Sequence, residues 1–160
     1  MAKGVGLDAG EYEIKVVELD GSVKRPRLAK ISIDRVSQTT AAAADEGHAA
    51  REAEAALHAL KDAHVSRDNV VLGFPCREAV LRNIDVPFKG QDQIRKVIKF
   101  EVEDSIHSHN VDDMVVDFHP LERLNDQTLA LVVAVPKGSL GPLVHGLEGA
   151  GVEPERIDLD

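Results

Sequence analysis

The stretch that most constrains the fold is residues 6–15, which read GLDAGEYEIK. Two short β-prone runs, residues 5–8 and residues 13–19, stand on either side of Gly10. A glycine can take a positive φ without a Cβ penalty, so this arrangement predicts a β-hairpin that turns at Gly10. Three residues near the hairpin tip have side chains or backbone suited to phosphate chemistry: an acid, Asp8, the permissive Gly10, and a cation, Lys15.

An acid followed two residues later by a glycine is a common pattern, and by itself it does not specify a binding site. The structural interpretation of the same residues is a hairpin with a glycine turn and a surface lysine. The residues alone leave both interpretations open.

The remainder of the first 78 residues predicts one more strand, a helix and a further strand. Residues 27–36 have a strand pattern, and residues 48–64 have one helical face made mostly of alanine. Residues 70–74 form a continuous apolar run that ends at Pro75. Such a run predicts a central strand that is buried on both faces and lies beside the hairpin.

The second half of the chain predicts a strand, a helix and two strands, followed by another helix and strand. In order, these elements are residues 79–86, 91–107, 114–121, 128–135, 137–149 and 152–159. Mixed sheets with helices on their faces make the predicted fold class α/β, or α+β. We expect residues 1–78 and 152–160 to form a main lobe into which residues 79–151 are inserted as a strand-helix-strand-strand subdomain.

Charge and composition exclude several classes of partner. The formal net charge is −9, and a field of this sign repels nucleic acids and anionic lipid headgroups. No apolar run approaches the roughly 20 residues that span a bilayer, and the N-terminus has no apolar signal region. We therefore expect a cytoplasmic chain that inserts into no membrane, binds no nucleic acid, and reaches any membrane only through a protein partner.

The seven histidines raise the question of a metal site, above all His107, His109 and His119. They have no companion cysteine nearby, because the one cysteine, Cys76, is distant in the sequence and has no recognisable catalytic partner. We expect solvated histidines, no metal site and no catalytic nucleophile.

Seven segments, taken together and in order, resemble the N-terminal part of the type IV pilus assembly protein PilM family. They are GLDAGEYEIKVVEL, VVLGFP, VLRNIDVPF, KVIKFEVEDSI, DDMVVDF, LVVAVPK and GVEPERIDLD. That family is similar to the cell-division protein FtsA, which is actin-like, and the resemblance covers nearly all 160 residues. It implies an actin-like N-terminal lobe with an inserted strand-helix-strand-strand subdomain.

The resemblance also implies a nucleotide site. Asp8 would act near a metal ion and its waters, Gly10 would allow close approach of phosphate, and Lys15 would contact the phosphates of Mg-ATP. In the family the positions after the glycine usually hold small or hydroxyl residues, but here they are Glu11, Tyr12 and Glu13. A carboxylate ~4 Å from a phosphate oxygen is repelled by several kcal/mol at an effective dielectric constant of ~20.

The rest of such a nucleotide site comes from a second lobe, which would follow residue 160. We therefore expect no cofactor for this chain alone and Mg-ATP only in a complete fold. The chain is predicted to be a fragment, a truncated product or a reduced homologue, and its unpaired last strand predicts self-association.

Two functions remain open. The first is a non-catalytic cytoplasmic scaffold of a type IV pilus or related secretion machine, which binds the N-terminal cytoplasmic peptide of an inner-membrane PilN-like protein in a groove beside the inserted subdomain. The second is half of an actin-like ATPase that binds Mg-ATP through Asp8, Gly10 and Lys15. A near neighbour of the first is the cytoplasmic domain of the type II secretion protein GspL. We favour the scaffold over an enzyme because Glu11 and Glu13 oppose phosphate binding.

Overall fold

The computed structural model describes residues 3–10, 12–36, 46–106 and 110–160. Glu11, His107, His109 and most of the loop predicted before the first helix lie outside these residues. The strands are β1 Gly4–Ala9, β2 Glu13–Ser22, β3 Arg25–Arg35, β4 Val70–Phe74, β5 Val80–Val86, β6 Met114–Leu124, β7 Gln127–Pro136 and β8 Pro154–Leu159. The helices are α1 Glu46–Asp62, α2 Gln91–Glu103 and α3 Lys137–Gly149. This mixture of strands and helices confirms the predicted fold class.

The chain divides into two compact units. Unit 1 comprises Met1–Cys76 and Ser139–Asp160, and unit 2 comprises Arg77–Gly138. The sequence placed the end of the insertion at residue 151, whereas unit 2 ends at Gly138. The difference is α3, which packs on α1 within unit 1 where Gly146 meets Ala53.

Unit 1 is built on a five-stranded mixed sheet of order β3-β2-β1-β4-β8. The predicted hairpin is present, because β1 and β2 pair antiparallel with Asp8 opposite Lys15. Alternation along β2 buries Ile14 and Val16 and leaves Lys15 exposed. The strands β1, β4 and β8 run parallel to one another, so their carboxyl ends meet at one edge of the sheet.

One face of this sheet carries the core of unit 1. The buried residues of β4 are the alternate ones, Val70, Leu72 and Phe74, whereas Val71 is 39% exposed. The prediction that this strand is buried on both faces is therefore wrong. An unbroken apolar run does not distinguish a strand buried on both faces from one whose outward residues are a valine and a glycine.

Unit 2 has the predicted order of a strand, a helix and two strands. Its antiparallel sheet has the order β5-β7-β6, and one face of that sheet is packed against α2. The helix contributes a stripe spaced by four residues, Ile94, Ile98 and Val102. This stripe meets buried strand residues of the unit, namely Val86, Met114, Ala130, Val132 and Ala134.

Candidate functional site

The candidate site lies at the edge of unit 1 where the three parallel strands end. β1 ends at Ala9, β4 at Phe74 and β8 at Leu159. Ligands of open sheets with parallel strands bind outside the carboxyl ends of those strands, because the loops that follow meet there. The sequence candidates Asp8, Gly10 and Lys15 lie at this edge, and the structure brings them together with residues that the sequence did not indicate.

Asp8 and Lys15 form an ion pair across the hairpin. They are cross-strand partners in the β1–β2 register, and Lys15 Nζ donates to Asp8 Oδ2 over 2.8 Å. The hydrogen bond to Asp8 raises the pKa of the Lys15 amine, with smaller contributions in the same direction from the carboxylates of Glu13 and Asp160. The Lys15 charge is thus balanced within the protein.

The second carboxylate oxygen of Asp8, Oδ1, has a different environment from Oδ2. Asp8 Oδ1 is buried and has no hydrogen-bond partner among the described residues. It lies over Gly73 of the neighbouring strand, where an added Cβ would be 3.8 Å from Oδ1 and 3.5 Å from the Asp8 Cα. A buried acceptor without a donor is costly, and in native proteins such an atom commonly contacts water or an ion.

Gly10 is required for close packing of the hairpin tip. Its amide donates to the Glu13 carbonyl over 3.2 Å, and an added Cβ would lie 2.7 Å from that oxygen. Its φ is not positive, unlike those of Gly21 and Gly151, so the hairpin turns here without the positive φ that a glycine allows. Because the Gly10 amide is bonded inside the hairpin, it is not available to a phosphate in this conformation.

Asp160 and the backbone after β4 complete the edge. The Cys76 amide donates to Asp160 Oδ1 over 2.7 Å, and the Asp160 amide donates to the Phe74 carbonyl over 3.2 Å. Sequence reasoning did not single out Asp160 or Gly73. The available signal was positional: Asp160 directly follows a strand, and Gly73 lies within a strand beside the hairpin.

The edge has an excess of negative charge. The carboxylates of Asp8, Glu13 and Asp160 act on one amine, that of Lys15. Asp8, with its unpartnered oxygen, fits a hydrated Mg²⁺, whereas Gly10 and Lys15 are both engaged within the hairpin and do not fit a phosphate group as they stand. The opposing effect of Glu11 on phosphate stays a prediction, because that residue lies outside the described part of the chain.

Of the three histidines considered in the sequence, the structure describes His119. His119 is exposed on β6 in unit 2. The expectation that His107, His109 and His119 bind no metal stays a prediction, since the first two are outside the described residues. Cys76 is a free, partly buried cysteine whose backbone, and not its thiol, is hydrogen-bonded to Asp160.

Comparison with known proteins identifies related sequences and folds. The profile of the family "Type II secretion system (T2SS), protein L" matches residues 36–160. A comparison with curated proteins finds no match.

Two solved structures have the same fold over 98% of this chain. A chain of the "PilM-PilN type IV pilus biogenesis complex" has a TM-score of 0.76 and 24% identity, with 47% of that chain covered. The cytoplasmic domain of EpsL, an inner-membrane component of the type II secretion system of Vibrio cholerae, has a TM-score of 0.63 and 18% identity, with 56% of that chain covered. The chain thus spans about half the length of these structures. Their likeness confirms the actin-like fold and the predicted resemblance to PilM.

A separate observation concerns membranes. Among the described residues, no helix combines the length and the apolar character that crossing a bilayer requires.

Proposed function

This chain belongs to the type II secretion system protein L family, and we propose that it is a cytoplasmic assembly component that binds the tail of an inner-membrane protein. The observation that carries the proposal is the family match over residues 36–160. It is supported by the fold shared with a chain of the PilM-PilN type IV pilus biogenesis complex. The machine is a type II secretion system or the related type IV pilus, and the partner is PilN-like.

We assign the docking surface to the face of the unit 2 sheet that α2 does not cover, and we call it the open face. Its central row is formed by Leu81 of β5 and its cross-strand partner Val133 of β7. The neighbouring row contains Leu131 of β7. In the central row, Leu81 is 38% exposed. The next row carries Asp85 opposite Leu129, with the aspartate exposed. The open face therefore has an apolar centre with a carboxylate beside it.

The chemistry of this face suits the tail of a membrane protein. Cytoplasmic segments next to membrane spans carry an excess of Lys and Arg, and this chain has a formal net charge of −9. The strand β5 is an edge strand, so an extended peptide can pair with its backbone and place alternate apolar side chains on the open face. The expected ligand is a basic peptide with alternating apolar anchors.

The test is titration of the purified chain with a fluorescently labelled peptide. The peptide is the cytoplasmic N-terminus of the PilN-like inner-membrane protein encoded with this chain. Its binding is measured by fluorescence anisotropy. Leu81→Lys places a cation on the open face and should weaken binding about tenfold or more, equivalent to at least ~1.4 kcal/mol. Phe100→Lys makes the same type of change on the outer side of α2, where Phe100 is 72% exposed, and should leave the affinity unchanged.

The outcomes separate the function from the surface. If the unmodified chain does not bind the peptide at millimolar concentration, the proposed partner is wrong. If the chain binds but Leu81→Lys has no effect while Phe100→Lys weakens binding, the partner is right and the assigned surface is wrong.

One observation favours a second function. The buried, unpartnered Asp8 Oδ1 is the type of atom that a metal-bound water would satisfy, as in half of an actin-like ATPase that binds Mg-ATP. Against it, the Gly10 amide and the Lys15 amine both have partners inside the hairpin. We therefore place nucleotide binding second.

A further inference from the structure

Three potential metal ligands meet between β3 and α1. Asp34 lies near the end of β3, and His58 and Asp62 lie in the last part of α1. His58 Nδ1 is 2.8 Å from Asp34 Oδ2 and 3.4 Å from Asp62 Oδ2. One ligand atom from each of the three residues lies within 4.8 Å of the other two.

The two elements place these ligands for simple geometric reasons. His58 and Asp62 are four residues apart on a helix, so their side chains lie on the same face, one turn apart. A pair with this spacing on a zinc-binding helix can hold one ion. The strand β3 packs against α1 and supplies the third ligand from a different element. The Arg35 amide donates to Asp34 Oδ1 over 2.9 Å and leaves Oδ2 directed towards His58.

We propose that Asp34, His58 and Asp62 form a binding site for a divalent transition metal of the Zn²⁺ type, which links β3 to α1. The ion would take the position of the proton on His58 Nδ1, with one carboxylate oxygen from each aspartate and water in the remaining positions. Zinc-ligand bonds of about 2.0–2.2 Å place the ligands of a tetrahedral site roughly 3.3 Å apart. The three side chains are partly or largely exposed, so small rotations can bring them to that spacing.

The ligand set also indicates which cations are favoured. One imidazole and two carboxylates suit Zn²⁺ and its transition-metal neighbours, whereas Mg²⁺ prefers an all-oxygen octahedral shell. The ligands come from two elements, Asp34 from β3 and the other two from α1, so a bound ion would join them. The expected role is to fasten the helix to the edge of the sheet.

The alternative is an ion pair without metal. His58 is held beside two carboxylates, and the hydrogen bond that its imidazole donates to Asp34 raises the pKa of the imidazole. A protonated His58 and a bound ion therefore use the same two carboxylates, and the experiment has to separate them. The histidines singled out from the sequence were His107, His109 and His119. This cluster was missed because Asp34 is 24 residues from His58.

The test is titration of the purified full chain with Zn²⁺ alone at neutral pH, using competition with a chromophoric chelator. We expect one ion per chain, and we expect His58→Gln and Asp62→Asn each to weaken Zn²⁺ binding at least about tenfold. His145→Gln removes an exposed imidazole from α3, and Cys76→Ser removes the thiol, and neither should change the affinity. Mg²⁺ at millimolar concentration should not displace Zn²⁺.

Two further readouts keep the result interpretable. Bound Zn²⁺ should raise the Tm of the unmodified chain and leave that of His58→Gln unchanged, since a ligand stabilises only the state that binds it. The ¹⁵N resonance of His58 Nδ1 should shift on Zn²⁺ addition. No binding at millimolar Zn²⁺ would overturn the proposal, as would equal affinity in His58→Gln or a loss of affinity in Cys76→Ser.

Discussion

Lys15 Nζ lies 2.8 Å from Asp8 Oδ2, and these two residues are direct cross-strand partners in the β1–β2 hairpin. The pair joins the only lysine and the first acid of the GLDAGEYEIK stretch. Each side chain is partly exposed, at 49% for Lys15 and 30% for Asp8. In the sequence, Asp8 and Lys15 suggest a phosphate site. In the fold, the same two residues form an ion pair with each other.

The first prediction concerns the titration of Lys15. Its pKa is raised in the folded state, first by the hydrogen bond that Lys15 donates to Asp8, so Asp8→Asn should bring it back towards 10.5. The pair therefore stabilises the folded state fully below the unfolded pKa, and this contribution is lost as the pH rises through the folded pKa. The measurement is an NMR titration of the Lys15 ¹³Cε resonance. The matched control is Asp20→Asn, which removes a different paired acid, on β2. It should leave the Lys15 titration unchanged.

The second prediction concerns acid stability through Glu18, which is buried on the core side of β2. It bonds to Lys3 Nζ over 3.1 Å and to the Ser66 amide over 3.1 Å. These partners, Lys3 first, hold the pKa of Glu18 below its usual 4.5. Its contribution is therefore present above the unfolded pKa and is lost as the pH falls through the lower folded pKa.

Glu18→Gln should accordingly destabilise the chain at pH 7, and the difference from the unmodified chain should shrink below about pH 4.5. The measurement is urea unfolding at a series of pH values. Glu155→Gln, an exposed acid on β8, should change the free energy of unfolding little at any pH. A pH-independent difference for Glu18→Gln would contradict the assignment.

The third prediction concerns the contact between α1 and α3. A Cβ on Gly146 would lie 2.5 Å from the Ala53 Cβ, so Gly146→Ala forces the helices apart and should cost about 1–3 kcal/mol. Gly149→Ala, in the same helix, has open space around the new Cβ and should instead stabilise by up to ~1 kcal/mol. Urea unfolding of both variants measures the difference. Equal and small effects would show that α3 does not pack closely on α1.

Most of the fold could be predicted from local patterns. The apolar stripe of Ile94, Ile98 and Val102 specified α2, and the strand at residues 70–74 matched β4 at both ends. These predictions succeeded because the apolar pattern of a helix or a strand depends only on residues that are close in the sequence. The alternation along β2 likewise specified which residues enter the core, with Ile14 and Val16 as examples.

The features that the sequence did not predict depend on contacts between distant residues. Glu18 is a polar residue in a strand, and only the fold shows that Lys3 and Ser66 contact its buried carboxylate. The role of Gly10 depends on a carbonyl three residues away, not on its own φ. Asp160 reaches the site because β8 runs parallel to β4, a pairing of strands about 80 residues apart that no local pattern encodes.

We propose that this chain is a docking platform and that its β1–β2 hairpin does not bind nucleotide by itself. The most direct measurement is calorimetric titration of the purified chain with Mg-ATP, at concentrations that detect a Kd of ~100 μM, equivalent to about −5.5 kcal/mol. We expect no saturable heat, for the unmodified chain and for Lys15→Ala alike. One-to-one binding that is lost in Lys15→Ala would contradict it and would show that Lys15 leaves Asp8 to contact the phosphates.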